Sequence, residues 1–151
     1  MSFKITGSGS CIPAVVQNND TFLNHSFYDE SGSEFDIENQ TIIEKFSSIT
    51  GINQRKYISA NLTTSDIAYQ AAKSAIKDAD IDPETLDYII LAHNFGDITC
   101  NSKQIDTLPS LASRVKAKLK IKNPECVAYD ILFGCPGWVE GMIQAQAFMK
   151  A

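Results

Sequence analysis

A chain of 151 residues, 44% apolar and 21% charged, has the makeup of an ordinary folded α/β protein. Thirteen basic against eighteen acidic residues leave a net charge of −5, which argues against nucleic acid as a partner. No apolar run approaches the ~18 residues of a membrane-spanning helix, the first residues lead into a strand pattern rather than a signal peptide, and four scattered cysteines form no C-x-x-C pair for zinc or redox work. The expectation is a cytoplasmic protein with free thiols, no metal and no membrane.

In chain order, residues 3–9 read as a short buried strand. Gly7-Ser8-Gly9 lacks the third glycine of a dinucleotide loop, and Pro13 follows where a helix should open. Residues 17–36 are polar, with a short helix expected near 19–24 and then a mobile loop. A helix is predicted over 39–49, with Ile42, Ile43, Phe46 and Ile49 on one face and Gly51 as a left-handed cap. Residues 54–58 read as extended. Thr64 or Ser65 is expected to cap a helix over 66–80, with Ile67, Ala68, Ala71, Ala75 and Ile76 inward.

Residues 87–93 form a second predicted core strand, ending in His93. A strand-end His is more often a hydrogen-bonded structural residue than a functional one. A helix is predicted from Thr107 and Pro109 to Leu119, with Leu108, Leu111, Ala112, Val115 and Leu119 inward. Arg114, Lys116, Lys118, Lys120 and Lys122 make a basic run on an acidic protein. It reads first as a solvated helix face and second as a docking surface for an acidic partner. His25 and His93 lie too far apart to suggest a metal site.

Cys135 falls where a buried-strand pattern, residues 126–133, gives way to a helix pattern carrying Val139, Met142, Ile143 and Met149. A thiol at such a junction faces unpaired helix N–H groups and the positive end of the helix dipole, and both favour thiolate. Gly134 and Gly137 leave room for a tight turn, and Pro136 suits a first helical turn. Packing alone would also explain a small cysteine there. Alternating strands and helices imply parallel pairing, with ligands beyond the carboxyl ends of the strands. Cys135 and the segment His93-Asn94-Phe95-Gly96-Asp97 are then the expected walls of one pocket.

The strand, Gly-Cys-x-Gly and apolar helix resemble the nucleophile segment of the β-ketoacyl-acyl carrier protein synthase III group, in the thiolase-like superfamily. Ile5-Thr6-Gly7-Ser8-Gly9-Ser10-Cys11-Ile12-Pro13 is similar to the group's first strand and its exit. Thr50-Gly51-Ile52 with Arg55 is similar to its Thr-Gly-Ile-x-x-Arg, residues 65–83 to its first long helix, and residues 86–92 to its second core strand. The resemblance runs from residue 5 to residue 149. It implies a thiolase-like α/β fold with a mainly parallel sheet and covering helices. Members are roughly twice as long, so residues 1–151 are expected to be the nucleophile-bearing N-terminal half, incomplete before its last strands.

The resemblance further implies a Claisen-type condensation. Cys135 would take an acyl group from a thioester on acyl carrier protein or coenzyme A, with its own backbone N–H as an oxyanion donor. A malonyl-carrier extender would then attack the acyl carbon. No cofactor is tightly bound in this scheme, and the expected catalytic His and Asn belong to the other half. His93, Asn94, Phe95, Gly96 and Trp138 are pocket candidates. The strand 126–133 is expected to pair with its copy in a homodimer. In coenzyme A-primed members a Trp and an Arg sandwich the adenine; Lys45 and Ile49 stand at those positions here. Other thiolase-fold synthases, resorcinol- or polyketide-forming or hydroxymethylglutaryl-type, and a non-catalytic short partner subunit are the alternatives.

Overall fold

The computed structural model describes residues 3–150. Two compact units divide the chain, one of residues 13–59 and the other of the residues up to 12 together with those from 60 onward. In the smaller unit β1, Val15–Asn18, pairs antiparallel with β2, Gln54–Tyr57, with Val15 opposite Tyr57. The sequence pattern did not mark β1, because four residues acquire strand character only through partners 36 to 42 positions away. A 3₁₀ turn over Asn19–Phe22 occupies the place of the expected short helix. Helix α1, Asn39–Thr50, ends on Gly51 in the left-handed conformation, φ 66°, with its N–H bonded to the Ser47 carbonyl. Ile42 and Ile43 are buried; Phe46 is exposed although its ring meets Phe27 edge-on, and Ile49 is 80% exposed, so only half of the expected apolar face turns inward.

The larger unit holds α2, Thr64–Ala79; β3, Tyr88–His93; α3, Leu111–Leu119; β4, Val127–Leu132; and α4, Gly137–Phe148. β3 and β4 pair in parallel, Tyr88 opposite Val127 through His93 opposite Leu132. Side chains alternate across the sheet. Ile89, Leu91 and His93 share a face with Ala128, Asp130 and Leu132, and α3 packs there; Tyr88, Ile90 and Ala92 share the other with Val127, Tyr129 and Ile131, and α4 packs there. Leu111, Ala112 and Val115 are fully covered, as their spacing predicts, while Leu108 lies before the helix and is 82% exposed, contrary to expectation. The α4 face is closed by Tyr88 stacked on Phe148, centroids 4.5 Å apart, and by the Tyr129 hydroxyl donating to Gln144 Oε1 at 2.7 Å. Burial pushes the Tyr129 hydroxyl's pKa up from its ordinary value. Among the described residues no helix is long and apolar enough to cross a membrane.

Residues 3–9 form no strand, which corrects the sequence reading. Gly7 lies so close to α2 that a Cβ there would sit 2.6 Å from the Ala75 carbonyl oxygen, and Gly9 meets the Ala71 carbonyl in the same way. The Ser8 N–H donates to Asp78 at 2.9 Å. The glycines therefore seat this segment on a helix backbone rather than in a ladder.

The cap of α2 is Thr63, one residue ahead of the predicted pair. Asp66 accepts from the Thr63 N–H and from the Thr63 hydroxyl, both at 2.9 Å, in a capping-box arrangement. Asp66 is also ion-paired with Lys118 of α3. That hydrogen bond is the main reason its carboxyl is held below the ordinary value of 3.8. A depressed folded value gives stability that is present above the unfolded value and lost as pH falls through the folded one. The pair is partly exposed, so the contribution is about 1 kcal/mol or less. Asp66→Asn should therefore lower the urea midpoint at pH 7 and converge with the parent chain as pH falls from the ordinary value of 3.8 through the lower folded one. An unchanged gap at low pH would refute the assignment.

Candidate active site

Cys135 is exposed, in the turn between the carboxyl end of β4 and the amino end of α4. The turn is closed by the Gly137 N–H donating to the Gly134 carbonyl at 2.9 Å. Pro136 is the N-cap rather than a first-turn residue. A Cβ on Gly137 would sit 3.0 Å from the Ala92 Cβ, so a glycine there lets α4 start close against β3. Of the other cysteines, Cys126 is buried, Cys11 is partly covered and Cys100 is exposed.

β3 delivers its last residue, His93, to the same end of the sheet. The Phe133 N–H donates to the His93 carbonyl at 3.1 Å, so the chain leading to Cys135 leaves β4 bonded to the end of β3. The His93 ring is almost wholly covered and both nitrogens are engaged. Nδ1 accepts the Gly96 N–H at 2.9 Å, which requires the Nε2–H tautomer, and Nε2 lies 3.0 Å from Asp130 Oδ2. Asp130 also accepts the N–H groups of Leu111 and Ala112, each at 2.7 Å. One carboxylate thus caps α3 and fixes the imidazole. Its signal in the sequence was an acid in the middle of the apolar strand Val-Ala-Tyr-Asp-Ile-Leu.

A second network fixes the connection beyond Gly96. Asp97, 4% exposed, accepts the Ser65 N–H and hydroxyl at 2.7 Å and Arg114 at 2.9 Å. Asp97 and Asp106 exchange backbone hydrogen bonds at 2.9 Å, and Arg114 bonds Asp106 and the carbonyls of Leu108 and Pro109. The guanidinium beside Asp106 lowers that carboxyl below its ordinary value, and Asp106 in turn raises the pKa of Arg114. Lys116 donates to the carbonyls of Asn123 and Cys126, and Lys118 pairs with Asp66. Three members of the basic run therefore hold internal partners rather than forming a purely solvated face. The partners lie 5 to 52 positions away, and a charge pattern alone does not reveal them.

A cavity of about 460 Å³ lies between β3 and α4, lined by Tyr88, Ile90, Ala92, Trp138, Met142 and Phe148 among others. Of the candidate site residues Trp138 is in its wall; Cys135, His93, Asn94, Phe95 and Gly96 are not. Asn94 and Phe95 are exposed. Among the described residues no cluster of His, Cys, Asp or Glu is arranged to hold a metal.

No family model matches the chain. Solved structures define its class. The chain aligns with 3-oxoacyl-[acyl-carrier-protein] synthase III from Aquifex aeolicus VF5 at a TM-score of 0.70 and 29% identity, over 97% of this chain and 40% of that one. It aligns with OleA of Xanthomonas campestris at a TM-score of 0.65 and 20% identity, over 93% and 36%, a likeness of fold alone. With the parallel pair β3–β4 covered by helices on both faces, this is the thiolase-like α/β fold.

The curated relatives narrow it further. β-Ketoacyl-[acyl-carrier-protein] synthase III of Staphylococcus haemolyticus is 33% identical over 151 residues, all of this chain and 41% of that protein. The enzyme of the same name from Caldanaerobacter subterraneus is 33% identical over 148 residues, 97% of this chain and 37% of that protein. The chain is thus β-ketoacyl-[acyl-carrier-protein] synthase III-like from end to end and spans about two fifths of these relatives' length, which fits an N-terminal half.

Proposed function

We propose that this chain carries the nucleophile of a Claisen-type acyltransferase of fatty acid or polyketide-like synthesis. The observation that carries the reading is Cys135, exposed between a parallel strand's carboxyl end and a helix start, in a chain similar throughout to synthase III enzymes. In the first step the Cys135 sulfur attacks the thioester carbonyl, the tetrahedral oxyanion collapses, and the carrier's thiol leaves with a proton. The Cys135 backbone N–H supports that oxyanion. In the second step a malonyl thioester loses carbon dioxide, and the carbanion so formed attacks the acyl carbon. The new carbon–carbon bond forms as the carbon–sulfur bond to Cys135 breaks. In this reading the His and Asn that assist the second step belong to the other half of the enzyme, and the 151 residues alone are expected not to condense.

Acyl carrier protein is the preferred donor in this reading, and the working assembly is a homodimer through residues 126–133. Lys45 and Ile49 are both exposed on α1, and neither can sandwich an adenine between planar groups. The test is mass mapping of the four thiols after treatment with iodoacetamide or an acyl thioester. Cys135 should be labelled ahead of Cys11, Cys100 and Cys126, and in the full-length parent acyl-carrier donors should outperform acyl-coenzyme A by ~10-fold. Cys135 reacting no faster than the exposed Cys100 would sink the nucleophile assignment.

A further inference from the structure

We propose that His93 is a positioning residue for the Cys135 turn, an inference that rests on Cys135 being the nucleophile. Its imidazole joins the two segments that leave the sheet's carboxyl end. Through Nδ1 it holds the Gly96 N–H, and with it the start of the 94–97 connection that Asp97 anchors to Ser65 and Arg114. Through Nε2 it holds Asp130, three residues before Phe133 and five before Cys135. Its own carbonyl receives the Phe133 N–H. The 94–97 connection, the end of β3, the end of β4 and the amino end of α3 therefore meet at one residue pair.

The chemistry of that pair argues for a role beyond packing. A buried polar pair is often replaceable by apolar residues of similar volume without loss of stability. What it supplies instead is directional constraint, because each partner is satisfied in one arrangement only. Here the constraint falls at the strand end that feeds the reactive turn. Leucine at position 93 would fill the space and leave the Gly96 N–H and one Asp130 bond unmade. The Cys135 turn would keep its own Gly137–Gly134 bond, the Phe133 bond and its join to α4, but lose the imidazole's tie between the strand ends.

Two near-isosteric replacements divide the imidazole's functions. His93→Gln places an amide N–H where Nε2 donates to Asp130, but offers nothing at Nδ1. His93→Asn places a carbonyl oxygen where Nδ1 accepts from Gly96, but does not reach Asp130. The experiment measures iodoacetamide alkylation of Cys135 in the 151-residue chain, with Cys100 in the same molecule as the internal reference. His93→Leu and His93→Asn should each lower the Cys135-to-Cys100 rate ratio roughly fivefold. His93→Gln should restore it to within about twofold of the parent, because the Asp130 contact is the one on the Cys135 strand.

A general loss of structure would depress all three variants together and leave no rescue. Should His93→Leu fail to fold, the Asn and Gln pair alone decides the matter. A ratio unchanged in Asn, or lowered equally in Asn and Gln, overturns the positioning role. The nucleophile reading fails separately, if Cys135 of the unsubstituted chain reacts no faster than Cys100, and the effect of position 93 on the ratio is still read in that case.

Discussion

Asp130→Ala is expected to destabilise the chain by about 3 kcal/mol or more, because it removes the one acceptor group of three donors in a largely closed site. The carboxylate accepts three hydrogen bonds, from His93 Nε2 and from the N–H groups of Leu111 and Ala112. Each donor would be left in a site largely closed to water, and an unsatisfied buried donor costs about 1–3 kcal/mol. Whole domains are stable by only about 5–15 kcal/mol, so the variant should unfold at a far lower urea concentration or fail to fold at physiological temperature. Asp130→Asn keeps one acceptor oxygen and should fall between the two. The urea midpoint under matched conditions reads both. A loss below about 1 kcal/mol for Asp130→Ala would mean that α3 and His93 find other partners, and the picture of one carboxylate locking the strand ends would be wrong.

The contrast between Asp130 and its neighbours shows what a single sequence makes legible. Periodicity and cap chemistry are local, so the β3, β4 and α4 segments and the Gly51 cap could be read directly. The Thr63 cap was equally local, as Thr-x-x-Asp, yet the adjacent Thr64 and Ser65 offered the same chemistry one step later. β1 was not legible, because only pairing with β2 makes it a strand. The reading of residues 3–9 failed for a related reason: the glycines that suit a strand exit serve here to approach α2. Arg114, Lys116 and Lys118 looked like a surface run because their spacing is all a sequence displays. Their carboxylate and carbonyl partners are brought in by the fold. The position of Cys135 between strand and helix was legible; the network that surrounds its approach was not, apart from the out-of-pattern acid at position 130.

The 151-residue chain should bury α4 and the β4 edge against other copies of itself, or else bind a hydrophobic dye. Helix α4 is apolar around most of its circumference, the pattern of a helix covered on all sides. Yet Trp138 is 74% exposed, and Val139, Ile143 and Met149 are more than half exposed. Each such side chain gains about 1.5–3 kcal/mol on full burial, so a patch of four is a strong drive to association. β4 adds a second surface. Val127 donates to Asp87, and Phe133 donates to His93, so the odd-numbered residues turn their N–H groups toward β3. Ala128, Asp130 and Leu132 turn theirs toward the open edge, where a second strand can pair. Two substitutions separate the surfaces. Ala128→Pro removes an outward donor at a position that edge strands tolerate, and should abolish a dimer formed through β4 while leaving dye binding intact. Trp138→Glu with Ile143→Glu should suppress dye binding and any larger association while leaving a β4 dimer in place. Sedimentation of the unsubstituted chain at tens of micromolar gives the baseline. A single monomeric species with no dye binding would show that neither surface seeks a partner, and would count against both the half-enzyme reading and the strand-paired dimer.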